Sequence, residues 1–272
     1  MQNKLIVIRG GGDLASGVAL RLRRAGFPVV ILELEKPLAV RRTVSFAEAV
    51  YQGAFELEGV TARLVSADQI MVALERGELP VLIDPLGAML KNQFITSPRS
   101  TFVIDARLLK TAPEKLDVKL ALHIGLGPGF IAGENCDAVI ETQRGHTLGR
   151  VYWQGATNPN SGTPDGDPRR ALHAPHGGTL TPYVEIGARL KENQAIAEIK
   201  EDERLTLITS PFAGILRGLI HPSVPIQPKM KIGDVDSRND PAYCALISDK
   251  ALAIGGGALE AVMSWLAKEE VI

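Results

Sequence analysis

Short apolar runs, separated by glycine-containing or polar turns, dominate the first half of the chain. Leu5-Ile6-Val7-Ile8, Val29-Val30-Ile31-Leu32, Val81-Leu82-Ile83 and Phe102-Val103-Ile104 have the uninterrupted apolar character of strands buried on both faces. Between the first two, Leu14, Val18, Leu20, Leu22 and Ala25 mark a helical pattern that stops at Gly26. Residues 60–65 alternate as a strand, and 67–76 read as a helix ended by Gly77. Ser45 and Glu48 have the spacing of a capping box before a short helix. Residues 120–124, 137–142 and 145–153 supply further strands. Strands alternating with helices or long connections predict an α/β fold with a parallel sheet covered on both faces.

The pattern changes after residue 155. Residues 156–170 are rich in Asn, Pro, Gly, Asp and Ser and carry almost no large apolar side chain, as expected of a linker or loop. Residues 173–236 then hold a weak internal repeat. Pro175-His176-Gly177-Gly178 and Pro211-Phe212-Ala213-Gly214 each open a half that continues as strand, turn, apolar pair and strand. This resembles the barrel-sandwich hybrid of biotinyl and lipoyl domains. Lys200 lies in the joining segment without flanking methionines, so no covalent biotin or lipoate is expected. The chain ends in an amphipathic helix that a third glycine cluster, Gly255-Gly256-Gly257, interrupts. The expected layout is a Rossmann-like parallel sheet domain (1–155), a linker (156–172), an inserted all-β barrel-sandwich-hybrid domain (173–238) and a C-terminal helix (239–272) returning to the first domain.

The chemistry concentrates where strands end. Arg9-Gly10-Gly11-Gly12-Asp13-Leu14-Ala15 joins the first strand to the first helix, and the second strand ends on Glu33. This is the layout of a dinucleotide-binding βαβ unit. Gly10 permits the tight turn, Gly12 lets a pyrophosphate approach the backbone, and Ala15 allows helix and strand to pack closely. Glu33 stands near the spacing of a ribose-binding acid. Asp13 is either a helix cap or a charge opposed to the phosphate. Arg41 and Arg42 follow in a loop, as partners for a second phosphate or a carboxylate, or as a solvated basic turn. Gly125, Gly127 and Gly129 form a second glycine loop able to cradle an anion. Asp105, Arg107 and Cys136 are the catalytic candidates. As a nucleophile or sulfur carrier Cys136 needs a lowered pKa; otherwise it is a small buried residue at a strand start.

Composition narrows the classes. The 272 residues carry a net charge of −1, which gives no bulk attraction to nucleic acid or membrane. No apolar run reaches the ~20 residues that span a bilayer, and no signal peptide precedes Leu5. Two cysteines, Cys136 and Cys244, suit a reducing cytoplasm. His173, His176 and His221 lack ligand spacing with a thiol or paired carboxylates, so no metal site is expected.

Several stretches together resemble one family. They are residues 9–17, 32–42, Gly125-Leu126-Gly127-Pro128-Gly129-Phe130, Asn135-Cys136-Asp137 and Gly218-Leu219-Ile220-His221-Pro222. In combination they resemble the YqeB-type accessory proteins of selenium-dependent molybdenum hydroxylase systems. The opening unit is also similar to the Rossmann part of XdhC-type chaperones. The resemblance implies a role in maturing a molybdenum hydroxylase, through cofactor handling or selenium insertion, but no catalytic assignment. A nucleotide or molybdenum pterin dinucleotide cofactor would then lie at the glycine-rich edge, with the hydroxylase as partner and homo-oligomers also open. An NAD(P)-dependent oxidoreductase is a second expectation, although His123 and His146 lack an evident acid/base partner. A non-catalytic scaffold docking the hydroxylase is a third.

Overall fold

The computed structural model describes residues 4–92, 97, 100–162 and 166–269. Three residues of the expected linker, 163–165, lie outside the described residues. The strands in chain order are β1 (Leu5–Arg9), β2 (Val29–Glu33), β3 (Ala54–Leu57), β4 (Val60–Leu64), β5 (Leu79–Ile83), β6 (Thr101–Asp105), β7 (Leu122–Leu126), β8 (Ile131–Ala132), β9 (Ala138–Ile140), β10 (Val151–Tyr152) and β11 (Gly155–Ala156). After them come β12 (Ala171–His173), β13 (Thr179–Pro182), β14 (Arg189–Leu190), β15 (Ala195–Glu201), β16 (Arg204–Thr209), β17 (Gly214–Leu219) and β18 (Lys231–Asp236). The helices are α1 (Asp13–Arg24), α2 (Ala49–Gln52), α3 (Ile70–Glu75) and α4 (Asp249–Glu269).

Nine strands form the main sheet in the order β10-β9-β7-β6-β1-β2-β5-β4-β3. The seven inner strands pair in parallel. Both edges are antiparallel: β3 turns back on β4, and β10 on β9. The remaining strands form separate antiparallel sheets, β11-β8, β12-β18-β17-β14 and β13-β15-β16. This corrects the expected fold class. A mixed nine-stranded sheet with three small antiparallel sheets replaces a Rossmann-like parallel sheet carrying one barrel-sandwich hybrid. At one edge the two-residue turn between β3 and β4 leaves no room for a crossover helix, so the strand reverses; at the other, residues 141–150 form turns rather than a helix.

Alternation along the inner strands divides the core. Ile6, Ile8, Ile31, Ile104 and Ile124 face α1 and α4, while Val7, Val30, Leu32 and Val103 face the other way, with Met89 and Leu90. The cluster Gly255–Gly257 does not interrupt α4. A Cβ on Gly17 of α1 would lie 2.5 Å from the Ala251 carbonyl carbon, and one on Gly255 would lie 2.5 Å from the Gly17 carbonyl oxygen. Each helical glycine costs about 0.5–1 kcal/mol against alanine; here the missing side chains let the two helix backbones meet. Two local expectations also change. Ser45 donates its hydroxyl to the Arg41 carbonyl (2.7 Å) while Glu48 accepts from Arg42, so no capping box forms. Of 145–153, only Val151 and Tyr152 are strand, because 145–150 are held in turns.

The four-stranded and three-stranded sheets enclose their own core of Leu180, Ile196, Ile199, Leu216, Ile232 and Val235. The loop after β2 holds this unit against the main sheet. Arg42 Nε donates to the Leu219 carbonyl (2.9 Å), Thr43 to the Cys244 carbonyl (2.6 Å), and Gly218 leaves space for the Val40 carbonyl. The contact carries Arg41 to the face of β17 and β18.

Candidate functional site

The glycine turn is tightly tied by its own neighbours. Gly10 has φ +92°, a conformation that excludes most side chains. Its N–H donates to the Leu32 carbonyl (2.7 Å), and the Gly11 N–H donates to Glu33 Oε1 (2.6 Å). The second Glu33 oxygen accepts from the Leu34 N–H (2.6 Å). Glu33 is therefore a buried clamp on the turn, not a group presented to a ribose, and burial raises its pKa against the pull of the two N–H groups. Gly12 stands at the N-cap of α1 with no side-chain cap, Ala15 is buried in the first turn, and Asp13 is the first helical residue. The Asp13 carboxylate meets Arg41 Nη1 at 3.2 Å. The segment 45–47 folds over the turn, with the Ala47 N–H on the Gly11 carbonyl (2.9 Å). What the turn leaves open is the N-terminal end of α1.

That end faces a cleft of about 210 Å³ lined by Asp13, Leu14, Arg41, Arg144, Arg170, Arg217, Lys231, Asp234, Ser248 and Lys250. Six cationic side chains meet two acidic ones. The cations come from six places: the loop after β2, the turn after β9, the segment before β12, strand β17, strand β18 and the start of α4. Arg170 pairs with Asp234 at 3.0 Å and Lys231 with the same carboxylate at 3.7 Å; Arg144 holds Asp249 through two hydrogen bonds of 2.7 and 2.8 Å. Arg217 is 9% exposed, and Arg41 and Arg217 each keep a buried Nε with no hydrogen-bond partner. Burial, then the like charge of Arg41, lowers the Arg217 pKa. Two desolvated guanidinium groups side by side, with donors unused, at a helix N-terminus form an arrangement that an anion stabilises.

The other sequence candidates lie elsewhere. Arg42 turns away from the cleft to Glu48 (2.8 Å). Asp105 is 1% exposed; Arg107 grips it through Nε and Nη2 at 2.8 and 2.6 Å, and Arg9 reaches it at 3.3 Å. Arg107 and Arg9 lie beside Gly10, Glu33 and Asp84 in a cavity of only about 30 Å³. The second glycine loop serves packing. A Cβ on Gly125 would overlap the Phe130 side chain, and one on Gly129 would lie 2.5 Å from the Leu109 carbonyl oxygen. Gly127 has φ +82°, and its N–H is taken by the Ile140 carbonyl. Cys136 is buried, lines a separate cavity with Lys115, Lys119 and His123, and has a thiol pKa pushed up to about 11 by burial. An unactivated thiol is a poor nucleophile at neutral pH. Among the described residues, no group of three or more His, Cys, Asp or Glu is placed to hold a metal, and no helix is long and apolar enough to cross a membrane.

No family model matches the chain. The uncharacterized protein YqeB of Escherichia coli (strain K12) is a homologue, 44% identical over 266 residues, which cover 96% of this chain and 48% of that protein. The chain thus spans about half the length of this curated relative. Among solved structures, it is similar to a succinylglutamate desuccinylase from Silicibacter sp. TM1040, with 12% identity, a TM-score of 0.27 and coverage of 86% and 85% of the two chains. A succinylglutamate desuccinylase/aspartoacylase from Rhodobacter sphaeroides gives 12% identity, a TM-score of 0.29 and coverage of 88% and 87%. Likeness at this level says nothing of the activity of this chain.

Proposed function

We propose that the chain holds the phosphate groups of a nucleotide or of a molybdenum pterin dinucleotide cofactor in the basic cleft at the N-terminus of α1, as an accessory protein in maturing a selenium-dependent molybdenum hydroxylase. The supporting observation is the pair Arg41 and Arg217, each with a buried Nε lacking a partner, at the end of a helix that begins in a glycine turn. The donor set fits a pyrophosphate: guanidinium groups give directed hydrogen bonds, Lys231 adds a point charge, and the helix end adds N–H groups. A bound pterin dinucleotide would supply molybdenum for the partner enzyme. The chain's own residues hold and orient its phosphates and neutralise their charge. The hydroxylase assignment rests on the family resemblance of the sequence motifs.

An NAD(P)-dependent oxidoreductase fits less well, because both Glu33 oxygens are engaged by backbone N–H groups. Thermal unfolding with inorganic pyrophosphate, CDP, GDP or NAD separates the readings. The cleft reading expects stabilisation by pyrophosphate and by the nucleoside diphosphates. No shift at millimolar pyrophosphate overturns it. For the maturation role, hydroxylase activity is measured in cells carrying an Arg41→Met/Arg217→Met variant in place of the wild-type chain. Activity should fall; full activity overturns that role for the cleft.

A further inference from the structure

Arg144 and Lys250 form part of the wall of the basic cleft. Both side chains also line a second cavity, of about 170 Å³, whose other walls include Thr142, Gln143, Asn158 and Asn160. The volume is that of five or six water molecules, enough for a single heterocycle or sugar. The chemistry of the two chambers differs. The cleft is cationic, whereas this cavity adds amides, the hydroxyls of Thr142 and Ser161, the Glu141 carboxylate and the rings of Pro128 and Pro159 to the shared Arg144 and Lys250. Neutral donors and acceptors beside flat apolar surfaces suit a polar, uncharged ring.

The chamber is built before any ligand arrives. Glu141, 1% exposed, accepts from the Gln143 N–H (2.7 Å) and the Asn158 N–H (2.8 Å), so one buried carboxylate fixes both lining segments. Gly127 gives the space for Thr142: a Cβ there would lie 2.9 Å from the Thr142 hydroxyl oxygen. Thus the second glycine loop shapes this chamber's wall.

We infer that the ligand is a nucleoside diphosphate, its phosphates among Arg41 and Arg217 and its base or sugar in the chamber beyond Arg144 and Lys250. This rests on the phosphate reading of the cleft given above. It accounts for an amide-lined chamber that shares the Arg144 and Lys250 walls with a cationic one.

Calorimetric titration of the full chain with inorganic pyrophosphate, CDP and GDP tests it. At least one nucleoside diphosphate should bind about tenfold or more tightly than pyrophosphate. A Gln143→Leu/Asn160→Leu variant, altered at two exposed positions, should bind that nucleotide no better than pyrophosphate, with pyrophosphate affinity unchanged. Equal affinity of pyrophosphate and both nucleotides for the wild type overturns the chamber assignment while leaving the phosphate reading standing. A variant with undiminished nucleotide preference also overturns it. Absence of pyrophosphate and nucleotide binding to the wild type defeats the phosphate reading itself.

Discussion

Replacing Arg217 by methionine separates a binding residue from a structural strut. Arg217 Nη1 lies 3.4 Å from Asp236, but Arg238 already holds that carboxylate through Nε at 2.9 Å and Nη2 at 2.6 Å. Removing Arg217 therefore leaves no orphaned acid. Methionine preserves much of the aliphatic stem that packs in β17. It also removes a buried charge whose Nε has no partner and whose neighbour Arg41 repels it. Replacing such a charge with a well-packed apolar group is often neutral or stabilising, so unfolding free energy should fall by no more than about 1 kcal/mol, a Tm change of roughly 2–4 °C at this chain length. Binding should respond differently. Loss of one charge-assisted hydrogen bond costs about 1.5–3 kcal/mol, roughly ten- to a hundredfold in Kd for pyrophosphate. Thermal unfolding of the free protein and calorimetry with pyrophosphate read the two effects separately. A Tm fall of about 10 °C or more with unchanged pyrophosphate affinity would refute the argument and make Arg217 structural.

Gly17→Val should lower Tm by several degrees, since overpacking costs about 1–3 kcal/mol and the new Cβ would lie 2.5 Å from the Ala251 carbonyl; an unchanged Tm contradicts the close α1–α4 contact. Burial raises the Glu33 pKa above 4.5, so its contribution is full below that pH and lost as pH rises through the folded value. Wild type should lose stability relative to Glu33→Gln between pH 4 and 7, measured by urea unfolding; parallel profiles sink this account. Cys136 and Cys244 are buried with raised thiol pKa values, so alkylation at pH 7 should be slow in the native protein and fast in guanidinium. Rapid labelling of either native thiol would contradict their burial.

Much of the main sheet was legible because its strands are uninterrupted apolar runs, and the glycine turn because Gly10 needs a positive φ directly after one of them. The antiparallel edges were not. β10 is two residues long, too short to show a period, and the order in which strands pair is set by tertiary contacts. The glycine turn also misled: its spacing matches a phosphate loop, but spacing says nothing of whether Glu33 points outward or folds back on the Gly11 N–H. Gly255–Gly257 looked like a helix break because propensity ignores the neighbouring Gly17. The basic cleft was hidden for a different reason. Arg41, Arg144, Arg170, Arg217 and Lys231 lie far apart in the chain and singly resemble solvated charges. One signal was present: Arg217 stands alone in Ile215-Leu216-Arg217-Gly218-Leu219-Ile220, and a single cation inside an apolar strand marks a buried charge that needs a partner.

The most direct test is a crystal structure of the chain grown with the nucleoside diphosphate that binds it best. The account predicts phosphate oxygens within hydrogen-bond distance of the guanidinium groups of Arg41 and Arg217, beside the first turn of α1. Phosphates lodged instead between Gly10 and Glu33, or a cleft free of ligand while nucleotide binds elsewhere on the chain, would contradict it.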